Sequence, residues 1–283
     1  MASRRNMVSA KEGRLLAVIP AFYSGQLLEQ CLASLGHELF EQICIFENGS
    51  SPESKAEARA IAASFSNVLL IDAPNNLGFG GAVNRACEAL RVSGEDILLI
   101  LNVDVKLAPG VVRSIVELIQ QTRGAIVSPT VVTDSRLGRR VWFSGGDVNV
   151  NGGFATMRSR TKYSRSHSEH QEVGFAPAAV VGMGGETWAR LGGFREDFFL
   201  YFEDVEYCMR ARRNGVKLFV IPSRVWHQVG GSSNRRQRSR PPYYFYFMMR
   251  NRLWLFARHE NALQILIGRG LPHSLALLAK AVL

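Results

Sequence analysis

The chain of 283 residues has no uninterrupted apolar run close to the roughly 20 residues that a bilayer-spanning helix requires, so no membrane span is expected. It has only four cysteines, Cys31, Cys44, Cys87 and Cys208, and their scattered spacing fits neither a metal site nor a disulfide framework. They read as reduced, mostly core residues, as in a cytosolic protein. The opening stretch MASRRNMVSAKEGR is basic but lacks the apolar segment of a secretory signal. Low-complexity tracts are absent too. With 47% apolar and 20% charged residues, the composition excludes a largely disordered or collagen-like chain and can supply a large core.

Acidic charge is scarce in two places. Residues 135–165 carry Arg136, Arg139, Arg140, Arg158, Arg160, Lys162 and Arg165 against Asp147 alone. Residues 235–258 carry Arg235, Arg236, Arg238, Arg240, Arg250, Arg252 and Arg258 with no acid. The whole chain has 34 Lys+Arg and 24 Asp+Glu, a net +10, so everything outside these two stretches is slightly acidic. Such concentrations attract phosphates, whether of nucleic acid, anionic lipid or a diphosphate ligand. A solvated basic surface is the plainer reading of any single arginine. Nucleic acid is not an expected partner, because no stacking aromatics interleave the arginines and no known module is present. Residues 158–172, RSRTKYSRSHSEHQE, are almost without apolar side chains and read as a surface loop.

The first half alternates apolar runs with helical patterns. Strands are expected at 15–20 (LLAVIP), 43–46 (ICIF), 67–71 (NVLLI) and 96–101 (DILLIL). Between and after them, helical spacing appears at 27–35, around Ala56 to Phe65, at about 79–90 and at 111–119. Strand and helix in alternation with short connections imply parallel pairing through right-handed crossovers. Ligands of such sheets sit beyond the carboxyl ends of the strands. The residues there are Pro20-Ala21-Phe22-Tyr23, Glu47-Asn48-Gly49-Ser50, Asp72 to Asn76, and Asn102-Val103-Asp104. Carboxylates and amides among small residues suit a nucleobase, a ribose or a divalent ion. GFGGAVNRA (78–86) lacks the GxGxxG spacing and does not open the fold, which disfavours a nicotinamide dinucleotide.

After Ser128-Pro129 the pattern turns to strands and turns, then to an apolar stretch at 173–185. Residues 192–215, GGFREDFFLYFEDVEYCMRARRNG, contain a helix closed by Gly215, with Glu203 and Asp204 in its first turn. Carboxylates are favoured there by the helix dipole, and capping alone is one account of them. LFVIP (218–222) is a further strand leading to Val225-Trp226-His227.

In order, AVIPAFYSGQLLEQCLASL, FENGSSPES, NNLGFGGAVNRA, LILNVDV, GGFREDFFLYFEDVEYCMRARRNG, VWHQVGGSS and YYFYFMMRNRLWLFAR resemble the family 2 inverting glycosyltransferases, in particular their rhamnosyltransferase-like branch. The likeness extends from about residue 15 to 258. It implies an α/β fold of the GT-A type: a Rossmann-like, mostly parallel central sheet flanked by helices, with a C-terminal helical extension. On that pattern residues 1–14 are a tail, 15–128 the nucleotide-sugar-binding half and 129–258 the acceptor-binding and catalytic half of one domain. Residues 259–283 form the extension.

The resemblance also implies roles. Asp104 matches the last acid of the DxD motif and is expected to bind Mg²⁺ or Mn²⁺, with His227 completing the metal site. Asn102 stands where the first acid would be, against ribose or a metal-bound water. Asp204, in the ED motif, is the expected catalytic base, oriented by Glu203, and Glu206 is secondary. Glu47 replaces the Asp that accepts from the N3–H of uracil or thymine. Asn76 and Gly78 line the nucleotide pocket, and Pro20, Ala21 and Phe22 replace the usual TYN-type run, with Phe22 set to stack on the base. Arg250 or Arg252 is expected near the diphosphate or acceptor. The implied donor is a dTDP- or UDP-sugar, dTDP-L-rhamnose first, with UDP-galactofuranose, UDP-N-acetylglucosamine and UDP-glucose as alternatives. The implied acceptor is a cell-surface polysaccharide or lipid-linked saccharide. A cytoplasmic location follows, with peripheral contact on the inner membrane face through 235–240 and 263–283 as an option beside ordinary packing, and a homo-oligomer as another. A glycosyltransferase-like binding protein without turnover is the competing class.

Overall fold

The computed structural model describes residues 13–36, 39–135, 138–158, 169–228, 241–258 and 262–282. The four apolar runs of the first half become the strands β1 (Leu15–Ala21), β2 (Gln42–Glu47), β3 (Val68–Asp72) and β4 (Ile97–Leu101). They pair in the parallel order β4-β1-β2-β3, as the alternation of strand and helix predicts. The crossovers are the helices α1 (Gln26–Ser34), α2 (Pro52–Ala62) and α3 (Gly78–Leu90). Ser51 caps α2 by accepting from the Ser54 N–H, and Pro52 follows at the first helical position, where its missing N–H costs nothing.

The starts of β1 and β4 are tied together by one ion pair. Arg14 donates to Asp96 from its backbone N–H (3.0 Å), from Nε (3.1 Å) and from Nη2 (2.6 Å), and the Ser93 N–H adds a fourth bond at 2.8 Å. Burial pushes the Asp96 carboxyl up, but Arg14 and Ser93 outweigh it and hold the group down at about 2.

Beyond β4 follow a short strand β5 (Val105–Leu107), helix α4 (Val111–Gln121), and strands β6 (Ile126–Ser135), β7 (Gly138–Phe143), β8 (Gly146–Asn149), β9 (Phe154–Met157), β10 (Gln171–Val173) and β11 (Val180–Gly184). Then come α5 (Gly185–Leu191), α6 (Glu203–Arg213), β12 (Leu218–His227), α7 (Pro242–Phe256), α8 (Ala262–Leu266) and α9 (Leu271–Val282). Among the described residues ten strands form one sheet, ordered β10-β12-β6-β11-β4-β1-β2-β3, with β5 on β12 and β7 on β6; β8 and β9 make a separate hairpin. Six of the ten (β1, β2, β3, β4, β6 and β12) run in one direction, and β11 lies antiparallel between β4 and β6.

Two features were not evident in the pattern. The apolar run that becomes β11 is buried on both faces, so its direction leaves no periodic trace. The division drawn after residue 128 falls inside β6, which runs straight through Pro129. Proline offers no N–H there, and the partner strand shifts register between Ile221 and Arg224 beside it. The helical extension expected over 259–283 is present as α8 and α9, packed on α7. The tail 1–12, arginines 136, 160, 165 and 235–240, Lys162 and the last five residues of VWHQVGGSS lie outside the described residues.

Candidate active site

At the carboxyl ends of the parallel strands lies a cavity of about 770 Å³. Pro20, Ala21 and Phe22 follow β1 into it, Asn48 follows β2, and Asn102, Val103 and Asp104 bridge β4 to β5. Asn76 and Gly78 enter from the start of α3. The amides hold one another in place. Asn48 accepts from the Leu77 N–H (2.8 Å) and donates to the Asn76 side chain and the Gly78 carbonyl (both 3.1 Å). Asn76 accepts in turn from the Gly78 N–H at 2.8 Å. Gly78 has φ +74°, and a Cβ there would collide with the Phe199 carbonyl, which accepts from the Phe79 N–H at 2.8 Å. Asn48 was visible only as part of a turn; its central place in this network depends on the fold around it.

Asp104 and His227 meet on the same cavity. Asp104 Oδ1 lies 3.1 Å from His227 Nε2, and both side chains are buried. The antiparallel pairing of β5 with β12 sets this distance, because it places His227 opposite Val105 and lets the Gln228 N–H donate to the Asp104 carbonyl at 2.9 Å. Trp142 packs edge-on against the imidazole, and His227 Nδ1 is buried with no partner. Two neighbouring ligands of a six-coordinate Mg²⁺, each about 2 Å from the ion, stand about 3 Å apart. The Asp104–His227 separation therefore fits an oxygen and a nitrogen on one cation. No cluster of three or more His, Cys, Asp or Glu suited to a metal occurs among the described residues, so any such ion would take its other ligands from substrate and water.

The opposite wall is aromatic and carries the paired carboxylates. Phe199, Tyr201 and Phe202 all have left-handed backbone (φ +63°, +67° and +71°), an arrangement disfavoured for bulky side chains. These turns deliver Glu203 and Asp204 into the cavity at the first turn of α6. Asp204 Oδ1 accepts from the Val205 N–H at 2.8 Å and Oδ2 from the Ala178 N–H at 3.4 Å. Glu203 Oε2 is buried without a partner. Burial pushes both carboxyls up, and the charge of Asp204 pushes Glu203 further, while backbone N–H groups moderate the shift at Asp204. Both shifts are upward, so this buried space disfavours two charges side by side.

Helix α7 holds this strained loop. The buried Asn251 side chain donates to the carbonyls of Phe198 (2.9 Å), Leu200 (2.8 Å) and Tyr201 (2.7 Å). Arg250 Nε donates to Asn251 Oδ1 at 2.8 Å, fixing the amide's orientation, and Arg250 Nη2 bonds the Asp197 and Phe198 carbonyls. Asn251 is thus a positioning residue that the sequence did not single out.

Other expectations are corrected. Arg252 does not face diphosphate or acceptor. It is fully buried, and its guanidinium bonds the carbonyls of Gly152, Gly153, Ile265 and Gly270 and the Ser274 hydroxyl. Arg250 is committed to the loop as described and does not line the cavity. Glu47 does not line it either: its longer side chain turns back so that Oε1 accepts from the Ser50 N–H at 2.8 Å, leaving Oε2 buried and unpartnered. Glu206 pairs with Arg210 at 2.8 Å, away from the cavity. Pro20, Ala21, Phe22, Asn76, Gly78, Asn102, Asp104, Glu203, Asp204 and His227 all converge on it.

Comparison with known proteins bears on this arrangement. The model of the family described as "Glycosyl transferase family 2" matches residues 16–178. The chain is 27% identical over 230 residues to an N-acetylglucosaminyl-diphospho-decaprenol L-rhamnosyltransferase of Mycobacterium tuberculosis, with 74% of each chain covered. It is 23% identical over 178 residues to the low-salt glycan biosynthesis hexosyltransferase Agl10 of Haloferax volcanii, covering 62% of this chain and 55% of that one. Among solved structures, GalNAc-T7 with UDP, GalNAc and Mn²⁺ superposes with a TM-score of 0.62 at 14% identity, over 86% of this chain and 51% of that one. The mannosyltransferase PcManGT of Pyrobaculum calidifontis, with GDP-Man and Mn²⁺, gives 0.58 at 15% identity, over 96% and 76%. At such identities the two structures speak for the fold alone.

Proposed function

The chain belongs to glycosyl transferase family 2, and from that premise we propose that it moves one sugar from a nucleotide donor to an acceptor hydroxyl with inversion at the anomeric carbon. The observation that carries this reading is the convergence on one cavity of the strand-end amides, the Asp104–His227 pair and the Glu203–Asp204 pair. The first donor to test is dTDP-L-rhamnose, because the Mycobacterium tuberculosis relative is named an L-rhamnosyltransferase. The same relative's name supports a lipid-linked saccharide as acceptor, with a cell-surface polysaccharide as the alternative.

In this reading the nucleoside lies along the strand ends, its base against Phe22 and its ribose near Asn102. Asn48 and Asn76 hold the wall beneath it, and Gly78 keeps the backbone close. Asp104 and His227 would hold Mg²⁺ or Mn²⁺, a proposal supported by their 3.1 Å separation on the wall of the cavity. Such an ion supplies positive charge against the diphosphate as it departs. Asp204 accepts the proton of the acceptor hydroxyl as that oxygen bonds to the anomeric carbon and the bond to the diphosphate breaks. One Asp204 oxygen meets the Val205 N–H at the start of α6 and the other the Ala178 N–H of the loop before β11, contacts that aim the carboxylate and favour its charged form against burial. Glu203 retains its proton beside it and avoids placing a second charge in the same buried space. One carboxylate base suffices for a single displacement, whereas retention requires a nucleophile as well.

A second reading, a glycosyltransferase-like protein that binds nucleotide without turnover, rests on the departures from the family pattern at Glu47, Asn102 and Pro20-Ala21-Phe22. One assay separates the two. Transfer is measured with Mn²⁺ for dTDP-L-rhamnose, UDP-galactofuranose, UDP-N-acetylglucosamine and UDP-glucose, in the wild type and in Asp204→Asn. The expected result is turnover of one donor by the wild type, with a loss of about 10³-fold in the variant and unchanged nucleotide affinity. Equal rates remove Asp204 from the base role; nucleotide binding without turnover of any donor selects the second reading.

A further inference from the structure

The C-terminal part of the chain differs from the rest in charge. Residues 207–283 hold 14 Lys+Arg and one acid, Glu260, whereas residues 1–206 hold 20 Lys+Arg and 23 Asp+Glu. Within this basic region α9 is apolar on two faces. Ser274 and Leu277 point inward, while Leu275 (54% exposed) and Leu278 (57%) stand out beside Pro272, Ala276 and Ala279, a solvent-facing strip that among the described side chains carries no charge. Ile267, just beyond α8, is 62% exposed. A surface helix ordinarily carries charged or polar residues on that face.

Rolling the helix cannot hide these side chains. The Arg252 guanidinium bonds the Gly270 carbonyl just before α9, the Ser274 hydroxyl of α9, the Ile265 carbonyl of α8, and the Gly152 and Gly153 carbonyls beyond β8, which locks both helices onto α7 and the hairpin. The leucines are held outward. A second copy of the chain is a poor occupant, because two such regions would face each other with no acid among their described residues. A bilayer with anionic headgroups matches both the apolar strip and the sign of the charge. No helix among the described residues is long and apolar enough to cross a membrane, so the contact would lie in the plane of the interface.

We propose that α8 and α9 dock this protein on an anionic lipid bilayer, with Ile267, Leu275 and Leu278 in the boundary between headgroups and acyl chains and the exposed Arg258 and Arg269, which flank α8, near lipid phosphates. Helices α7 and α9 also give Tyr243, Phe247, Met248 and His273 to the cavity, so docking brings that wall next to the headgroups. Docking does not depend on the donor, the metal or the base assigned above. It is tested by flotation of the full chain with phosphatidylcholine vesicles containing or lacking phosphatidylglycerol, in low and high salt. The protein should float with the anionic vesicles, less in high salt, and at least about tenfold less with neutral ones. L275N/L278N should lower the bound fraction at least about tenfold while thermal unfolding is unchanged. Should that variant unfold, Ile267→Asn carries the same expectation. Failure of the wild type to float, or variants floating like the wild type, overturns the proposal. So does a lipid-free dimer that L275N/L278N abolishes, which would assign the strip to a second copy.

Discussion

On one side of the cavity the functional groups stand at the ends of parallel strands, whose ladders fix the residues that lead into them. Asn48, Asn76 and Asn102 need little beyond the sheet and one another. On the other side Glu203 and Asp204 follow three aromatic residues in left-handed backbone, held by two adjacent side chains of a distant helix. Strain of this kind costs on the order of 1–3 kcal/mol at each such residue and persists only where the surroundings impose it. The first wall is therefore tolerant of single changes remote from it, while the second depends on a clamp that one truncation can open.

The largest effect should come from that clamp. Asn251→Ala takes the amide donor from the Leu200 and Tyr201 carbonyls and one of the donors from the Phe198 carbonyl, which keeps Arg250 Nη2; each hydrogen bond lost is worth about 0.5–1.5 kcal/mol. The loop can then relax and carry Asp204 out of line. We expect kcat to fall about 10²-fold or more, with nucleotide affinity within about twofold, because the donor wall is untouched. A rise in KM at unchanged kcat would show that Asn251 does not position the base. Next is Gly78→Ala, where the two walls touch. A Cβ at φ +74° against the Phe199 carbonyl should lower stability by about 2–3 kcal/mol and weaken donor binding and turnover together. Loss of only one of these would mean that the walls are uncoupled there.

Asp96→Asn probes the first wall from its far end. Burial raises this carboxyl, but Arg14 and the Ser93 N–H prevail, so its ordinary value is the higher one and the folded value about 2. Its stabilisation is present above the ordinary carboxylate range and is lost as pH falls towards 2, about 2 kcal/mol in all. The variant should unfold at a lower temperature at neutral pH, with the deficit shrinking in acid and kcat unchanged. A matching loss of kcat would show that strand ends are less independent than the sheet suggests.

The same contrast decides what could be read without coordinates. Strand-end residues follow from one rule about parallel sheets, and Pro20 to Phe22, Asn76, Asn102 and Asp104 obey it. The meeting of Asp104 with His227 is set by β5, three residues too short to leave a periodic signal. Nothing in FFLYF announces left-handed backbone, because the residues that normally mark it, Gly and Asn, are absent there. In Arg250-Asn251-Arg252 the helical step of about 100° sends three adjacent polar side chains in different directions, and only the packing around α7 assigns each its partners. Glu47 Oε1 accepts from the Ser50 N–H of its own turn, a contact that the motif does not express.

The smallest effect concerns Glu203, and its sign is opposite to that of Asp96. Burial and the neighbouring Asp204 charge raise this carboxyl above its ordinary value, so the folded state binds the proton more tightly than the unfolded one. The resulting stabilisation is complete below the ordinary carboxylate range and is lost as pH rises through the folded value. Wild-type protein should accordingly lose stability between weak acid and mild alkali, whereas Glu203→Gln, which keeps the shape without the titration, should not. The variant is expected to match the wild type near pH 4 and to exceed it by about 1–2 kcal/mol at neutral pH and above, measured by thermal unfolding across that range. Turnover should fall only modestly, since Asp204 still accepts the proton. A stability difference independent of pH would mean that Glu203 is charged in the folded protein, and the two carboxylates would then have to share the site as a pair of anions, which the unpartnered Oε2 gives them no means to do.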